Sequence, residues 1–287
     1  MHVPSKTDRA RAPSRSAVNG MPPSLGFAPM PPQARYEQHD DVGELVLDAP
    51  PLNLFGPAMF DDLSTAIAQA QQARPRALVL RSDADAFSAG ADVHVFSELD
   101  AESAQPFTER LLAFAHAVED LPCPTLAIVG GLCLTAGLEL SLACDLLWAG
   151  QGVQFGLVEA VVGITPLMGG TQRMAERAGT ARAREFVMTG GLYTAETLHS
   201  WGVVNRVVAG DELLEKGMRF AARLASGLTL AHVATKRIVR AAADHGTRGA
   251  DAVTAELTSG LFETADARSA VSSFLEHGPG KATFTGR

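Results

Sequence analysis

The chain has 287 residues, a net charge of −8, 46% hydrophobic residues and 20% charged residues, a composition typical of ordinary globular proteins. This composition excludes a wholly disordered chain. It also argues against a protein acting on nucleic acid or an anionic membrane, because both need a basic surface. The three cysteines form no C-x-x-C pair, so we expect no disulfide framework and no metal site. A reduced, cytoplasmic setting fits this cysteine usage best.

Residues 1–33 differ in composition from the rest of the chain. They hold seven of the 16 prolines and carry four basic residues against one acid. The Arg and Ser content is similar to that of an organelle transit peptide, but the apolar stretch of a secretory signal is missing. We predict a disordered Pro- and Arg-rich tail, or a start codon assigned too early.

The predicted elements up to residue 143 alternate between strand and helix, which favours an α/β protein. In chain order they are a strand at 44–47, a helix at 57–72, a strand at 76–82, a helix at 105–120, a strand at 125–130 and a helix at 136–143. Beyond Gly169, helical periodicity dominates at 211–225, 231–243, 251–261 and 268–276, with one strand near 203–208. We therefore predict an α/β core over residues 34–205 and a helical region over residues 206–287.

Two turns rich in small residues follow buried strands, at residues 87–92 and 130–139. Free backbone N–H groups at a helix start point at whatever lies there, and small side chains allow close approach. If the turns converge, they form an oxyanion hole with two donors. The alternative is a pair of tight turns under close packing.

Ser88 lies in a segment similar to G-x-S-x-G, but no Asp and His complete a serine hydrolase. Dinucleotide and P-loop motifs are absent.

Two carboxylates, Glu139 and Glu159, stand in strongly apolar segments. A charged side chain there is unfavourable unless it is paired, protonated or used in chemistry. The two suggest a tuned acid/base pair beside the turns. The structural alternative is that each caps a helix or pairs with an arginine such as Arg173. For Asp145, at the end of a helix and the beginning of a strand, we expect a structural role.

Several motifs in this order resemble those of the enoyl-CoA hydratase/isomerase (crotonase) superfamily over about residues 35–287. They are Pro51-Leu-Asn-Leu, Ala86-Phe-Ser-Ala-Gly-Ala-Asp92, Ala-Gly-Leu-Glu139-Leu, Phe155-Gly-Leu-Val-Glu159, Gly169-Gly-Thr-Gln-Arg173 and Phe284-Thr-Gly-Arg287. The resemblance implies a spiral of ββα units and a helical C-terminal region used in trimerisation. It also implies an acyl-CoA thioester substrate, no separate cofactor since CoA is part of that substrate, and a homotrimer or dimer of trimers.

The resemblance also implies roles for particular residues. The backbone N–H groups of Ala91 and Ala136 match the oxyanion donors, and Glu139 and Glu159 match the two glutamates used by hydratases. The carbonyls of Ala89 and Ala91 match those that meet the adenine ring of CoA, with Asp92 beside them. Where the family usually has Gly-Gly-Gly, this chain has Thr135-Ala136-Gly137, which places a methyl group at the second oxyanion donor.

Together these features predict a hydro-lyase that adds water to a trans-2-enoyl-CoA and yields a 3-hydroxyacyl-CoA. Both glutamates are present, whereas many other members of the superfamily keep one or place others. The alternatives are an aryl-enoyl-CoA hydratase-lyase, an enoyl-CoA isomerase and a non-catalytic binding member of the fold. The acidic charge and the four lysines argue against an RNA-binding member.

Overall fold

The computed structural model describes residues 31–286. Most of the predicted tail over residues 1–33, up to residue 30, lies outside the described residues, as does the terminal Arg287. Gln33 already belongs to the folded part, because its N–H donates to Asp62 Oδ2 at 2.8 Å and its carbonyl accepts from Asp48 N at 2.7 Å.

The described residues contain nine strands arranged in two sheets. The strands are β1 (Ala34–His39), β2 (Val42–Leu47), β3 (Ala77–Ser82), β4 (Thr125–Val129), β5 (Cys133–Leu134), β6 (Leu146–Gly150), β7 (Gln154–Gly156), β8 (Tyr193–Thr194) and β9 (Arg206–Val208). The large sheet has the order β1-β2-β3-β4-β6-β9, and the small one β5-β7-β8. In the large sheet β1 pairs antiparallel with β2, and every other pair is parallel. Parallel pairing requires crossover connections, which the helices provide.

Ten helices and two 3₁₀ turns complete the described chain. The helices are α1 (Pro57–Ala73), α2 (His94–Ser97), α3 (Ala101–Glu119), α4 (Thr135–Leu142), α5 (Gly170–Ala178), α6 (Thr180–Thr189), α7 (Ala195–Ser200), α8 (Gly210–Ala225), α9 (Thr229–Ser259) and α10 (Ala265–His277). The 3₁₀ turns span Glu159–Val162 and Gly260–Glu263. Non-helical backbone at Gly246 (φ 71) bends α9, which accounts for the two helices predicted there. Within residues 31–286, no helix has both the length and the apolarity to cross a membrane.

The alternating side chains of the central strand β3 divide the core into two layers. Leu78 and Leu80 face the main core, which includes buried residues of α1, α3 and α4. Ala77 and Val79 face a second cluster that includes Leu213 and other residues of α8. Because both faces of the sheet are covered, its central strands carry apolar runs, residues 77–80 in β3 and 126–129 in β4. Such strands carry the loops that follow them on a rigid support.

The α/β class and the helical C-terminal region agree with the prediction. β9, an edge strand of the large sheet, lies within the segment near residues 203–208 where a strand was predicted. The adjacent parallel strands β3 and β4 end at the same edge of the sheet. The loop of residues 83–92 follows β3, and the turn that leads into α4 follows β4. The fold thus brings the two predicted turns to one place.

Candidate active site

The two turns meet along a short backbone pairing. Ser88 forms a parallel bridge with Cys133. The Ser88 N–H donates to Leu132 O at 3.0 Å, and the Leu134 N–H donates to Ser88 O at 2.8 Å. These bonds fix the loop that carries Ala91 beside the first turn of α4, which carries Ala136. The convergence expected for an oxyanion hole is therefore present in the backbone.

The backbone amides of Ala91 and Ala136 differ in their hydrogen bonding. Within residues 31–286 no acceptor engages the Ala136 N–H, which is one of the free donors at the start of α4. The Ala91 N–H donates instead to the side-chain hydroxyl of Thr135, with an N–O distance of 3.1 Å. In the sequence, Thr135 is a departure from the family pattern, and its contact with Ala91 was not predicted.

Glu139 extends from the second turn of α4 into a closed environment and is only 3% exposed. Its Oε1 accepts hydrogen bonds from Met168 N and Gly170 N, both at 2.8 Å, at the beginning of α5. Burial raises the pKa of Glu139 to about 7, although these two bonds favour the charged form. A Cβ at position 170 would lie 2.8 Å from Glu139 Cγ, so only glycine leaves room for the carboxylate here.

The alternative roles considered for Glu139 were to cap a helix or to pair with an arginine, and the structure shows a contact of the first kind. Its carboxylate bonds to the start of α5, as a cap would. Arg173 does not pair with it, because its guanidinium binds both oxygens of Glu119, with Nε–Oε1 2.7 Å and Nη2–Oε2 2.6 Å. One carboxylate oxygen, Oε2 of Glu139, accepts no hydrogen bond from the part of the chain that the structure describes.

Glu159 opens the 3₁₀ turn Glu159–Val162 and is 6% exposed. Its Oε2 is buried and finds no hydrogen-bond partner among the described residues. Burial, followed by the negative charge of Glu139, raises the pKa of Glu159 to about 8. The Glu139 carboxyl group therefore lies close enough to influence the ionisation of Glu159. The two environments differ, because two amides hold the Glu139 carboxylate whereas Oε2 of Glu159 has no partner among the described residues.

The residues matched to the adenine site lie on the same loop as Ala91. Ala89 is half-buried and donates its N–H to Leu52 O at 2.8 Å. The carbonyls of Ala89 and Ala91 accept no hydrogen bond from residues 31–286. Asp92 Oδ1 accepts from His94 N at 3.0 Å and lies 2.7 Å from His94 Nδ1. These bonds to the backbone and ring of His94 lower the pKa of Asp92.

Asn53 is a residue whose role sequence reasoning missed. It is fully buried, and its φ of 46° lies in the left-handed region that Asn tolerates better than most residues. Its Nδ2 lies within hydrogen-bonding distance of Phe87 O (3.0 Å) and Ala86 O (3.2 Å), while Oδ1 accepts from Ala49 N at 2.6 Å. Asn53 thus anchors the start of the loop that carries Ala89 and Ala91. In the sequence it was visible only as part of the Pro51-Leu-Asn-Leu motif.

Asp145 has the structural role that was expected. Its Oδ2 accepts from Thr125 N at 2.8 Å and from the Thr125 hydroxyl at 2.9 Å, and Lys236 Nζ lies 2.9 Å away. The carboxylate therefore joins β4, β6 and α9 at a distance from the candidate site. The three cysteines are all buried with free thiols.

The family model for enoyl-CoA hydratase/isomerase matches residues 37–287. The chain belongs to this family. Human enoyl-CoA hydratase domain-containing protein 2, a mitochondrial protein, is 32% identical over 72% of this chain and 72% of its own length. The 2,3-dehydroadipyl-CoA hydratase of Escherichia coli K12 is 33% identical over 69% of this chain and 77% of its own length. The match confirms the resemblance inferred from the motifs.

Solved structures place this enoyl-CoA hydratase/isomerase family member in the crotonase fold. A crystal structure of enoyl-CoA hydratase subunit I from Geobacillus kaustophilus HTA426 superposes with a TM-score of 0.83 at 31% identity. The match covers 89% of this chain and 98% of that chain. The predicted fold, an α/β crotonase-like spiral with a helical C-terminal region, is confirmed.

Proposed function

We propose that this family member adds water to a trans-2-enoyl-CoA thioester and forms the 3-hydroxyacyl-CoA. The proposal rests on one observation: two buried carboxyl groups, Glu139 and Glu159, both with raised pKa values, stand together beside the paired turns, and the charge of Glu139 contributes to the raised pKa of Glu159. Groups with strongly perturbed pKa values in one place are typical of acid/base catalysis. Family membership supports an acyl-CoA thioester as the substrate.

The surroundings of the two carboxyl groups support different roles. Two amides fix Oε1 of Glu139 and favour its ionised form, so its second oxygen can hold and deprotonate a water molecule. The unpaired Oε2 of Glu159 is buried, and a neutral carboxylic acid is less costly there than a carboxylate. Glu139 is therefore assigned as the general base and Glu159 as the general acid.

The proposed reaction then balances in protons and electrons. Glu139 takes a proton from water as the water oxygen bonds to Cβ, and the double-bond electrons move toward the thioester oxygen. Glu159 gives a proton to Cα, the thioester carbonyl re-forms, and the proton on Glu139 returns to Glu159 through solvent or directly. Donors at the oxyanion hole stabilise the enolate-like charge between these steps.

Hydration of crotonyl-CoA tests the proposal, followed as loss of the absorbance of the conjugated thioester. Glu139→Gln and Glu159→Gln should each lower kcat by about 10²- to 10⁴-fold, since each removes one acid/base group. Glu44→Gln serves as the matched control, because Glu44 is a buried carboxylate that pairs with Arg81 away from the site. It should lower stability and leave kcat unchanged. Unchanged rates in both site variants would contradict the mechanism.

We also propose that the chain assembles as a homotrimer or a dimer of trimers. An apolar stripe on α10 supports this proposal. Val271, Phe274 and Leu275 follow the i, i+3, i+4 spacing of one helix face, and their exposed fractions in the single chain are 60%, 60% and 78%. An exposed apolar face of this kind marks an interaction surface.

A further inference from the structure

Arg173 is a buried arginine whose guanidinium joins α3 to the beginning of α5. The residue is 4% exposed. Its Nε and Nη2 donate to the two carboxylate oxygens of Glu119, the last residue of α3, at 2.7 and 2.6 Å. A two-pronged contact of this kind fixes the plane of the guanidinium as well as its position. A buried ion pair adds little net stability, because the cost of desolvation offsets the attraction, so stability alone does not account for this pair.

The third nitrogen of the guanidinium contacts the turn that precedes α5. Arg173 Nη1 donates to the carbonyl of Gly169 at 3.2 Å, and the backbone N–H of Arg173 donates to the same oxygen at 3.3 Å. Gly169 has a φ of 96°, and an added Cβ would lie only 1.8 Å from Nη1. Glycine is therefore needed here for two reasons, since it adopts the left-handed backbone and leaves room for the guanidinium.

The turn held in this way carries the two amides that bind the candidate general base. Met168 and Gly170 flank Gly169, and both of their N–H groups donate to Glu139 Oε1 at 2.8 Å. The two amides point at one carboxylate oxygen only while the turn keeps its shape. The placement of the Glu139 carboxylate, including the second oxygen assigned to the water molecule, therefore depends on what holds the turn.

The charge of Arg173 also acts on Glu139. Burial raises the pKa of Glu139 to about 7, and the two amides, followed by the charge of Arg173, oppose this rise. The neighbouring acidic groups are Glu159 on the 3₁₀ turn and Glu119 behind Arg173. The adjacent strands β6 and β7 carry no charged residue, and the thiol of Cys133 on β5 lies beside a hydroxyl of α4. Arg173 is thus the cation that favours the ionised form of the base.

We propose that Arg173 is a positioning residue for the general base Glu139. Its guanidinium, held by both oxygens of Glu119, fixes the turn of residues 168–170, and the amides of this turn hold the Glu139 carboxylate in place. The inference rests on the proposed function of the site. It extends the catalytic apparatus to α3, which supplies the carboxylate that orients Arg173.

The experiment titrates the Glu139 carboxyl group in the folded protein and needs no turnover. The infrared C=O band of the protonated group, assigned by its absence from Glu139→Gln, gives the pH midpoint. Arg173→Gln removes the charge and the two-pronged contact, whereas Arg173→Lys keeps the charge and loses the planar fork. Both variants are expected to fold, because Arg240 Nη1 lies 3.1 Å from Glu119 Oε1 and remains as a partner for that carboxylate.

Arg177→Gln is the matched control. Arg177 lies one turn further along α5 and is half-buried, and its guanidinium donates to the carbonyls of Leu142 and Cys144 at the end of α4. Its loss should lower stability and leave the Glu139 midpoint at the wild-type value.

We expect Arg173→Gln to raise the Glu139 midpoint by about 1 pH unit, because the carboxylate loses an opposite charge and the fixed amides. Arg173→Lys should raise the midpoint less, since the charge is kept. With crotonyl-CoA, both variants should lower kcat by up to about 10²-fold, the effect of a small displacement of a catalytic group. KM should change little, because the contact concerns the general base.

Three results would overturn the inference. The first is a wild-type midpoint in Arg173→Gln. The second is Arg173→Lys with both the midpoint and the kcat of the wild type, because the charge alone would then be sufficient. The third is an equal shift in Arg177→Gln, because any loosening of α5 would then have the same effect. If Arg173→Gln shifts the midpoint but the wild type does not hydrate crotonyl-CoA, the action of Arg173 on Glu139 is supported and the proposed function is contradicted.

Discussion

Glu139 and Glu159 are the same residue type in similarly apolar segments, yet their carboxyl groups differ in what surrounds them. Glu139 accepts hydrogen bonds from two backbone amides at the start of α5, whereas one carboxyl oxygen of Glu159 has no partner among the described residues. The amides oppose the effect of burial on the pKa of Glu139, and the charge of Glu139 adds to that effect at Glu159. Two carboxyl groups in surroundings that differ in this way can serve as base and acid at one pH.

The raised pKa of Glu159 makes the stability of the protein depend on pH. The folded-state pKa of about 8 lies above the ordinary value of 4.5. The stabilising contribution of the protonated group is therefore complete below about pH 4.5 and is lost as the pH rises through 8. At pH 9 we expect the free energy of unfolding of Glu159→Gln to be higher than that of the wild type by at least about 1 kcal/mol. This difference corresponds to an increase in Tm of about 2–4 °C. At pH 5 this advantage should be smaller.

Thermal unfolding of the wild type and Glu159→Gln between pH 5 and pH 9 checks this expectation. Glu98→Gln, at an exposed position, is the control and should track the wild type across the range. A constant difference in Tm between Glu159→Gln and the wild type at all pH values would show that Glu159 does not titrate in the folded protein as stated.

At the scale of elements, the loop after β3 depends on one buried side chain from a distant segment. Removing the Asn53 amide leaves buried carbonyls of Ala86 and Phe87 with fewer donors, and an unsatisfied buried group costs about 1–3 kcal/mol. We expect Asn53→Ala to lower the free energy of unfolding by about 2 kcal/mol. It should also lower kcat/KM, since the loop carries Ala91.

Asn205→Ala, which removes a bond to Leu147 N away from the site, should affect stability only. Urea unfolding and crotonyl-CoA kinetics measure both effects, and an unchanged kcat/KM in Asn53→Ala would contradict the role given to Asn53.

Local patterns were sufficient for the long elements. Pro57 and the apolar spacing after it predicted the beginning of α1, and the uninterrupted apolar run of β3 predicted a strand buried on both faces. β1 was missed because it is largely polar, and β5, β7 and β8 because two or three residues show no period. These strands form only because neighbouring strands offer them hydrogen bonds.

Within the candidate site, sequence reasoning reached the residue types but not their partners. Glu139 and Glu159 were evident from their apolar surroundings. The bond between Ala91 and Thr135 joins residues 44 positions apart, and the ion pair of Arg173 with Glu119 joins residues 54 apart. Such contacts depend on how β3 and β4 align and on how α5 packs against α3, so no local pattern predicts them.

At the scale of the whole molecule, the large apolar side chains exposed on α10 are the surface on which the proposed assembly rests. We expect Leu275→Glu to shift the protein from three or six chains to a single chain, because it places a charge in the middle of the Val271–Phe274–Leu275 stripe. Ser269→Glu adds the same charge at an exposed position on the opposite side of α10 and should leave the assembly intact. Light scattering coupled to size-exclusion chromatography measures the number of chains directly. A wild type that elutes as a single chain would contradict the proposed assembly, and a trimeric Leu275→Glu variant would show that this stripe lies outside the interface.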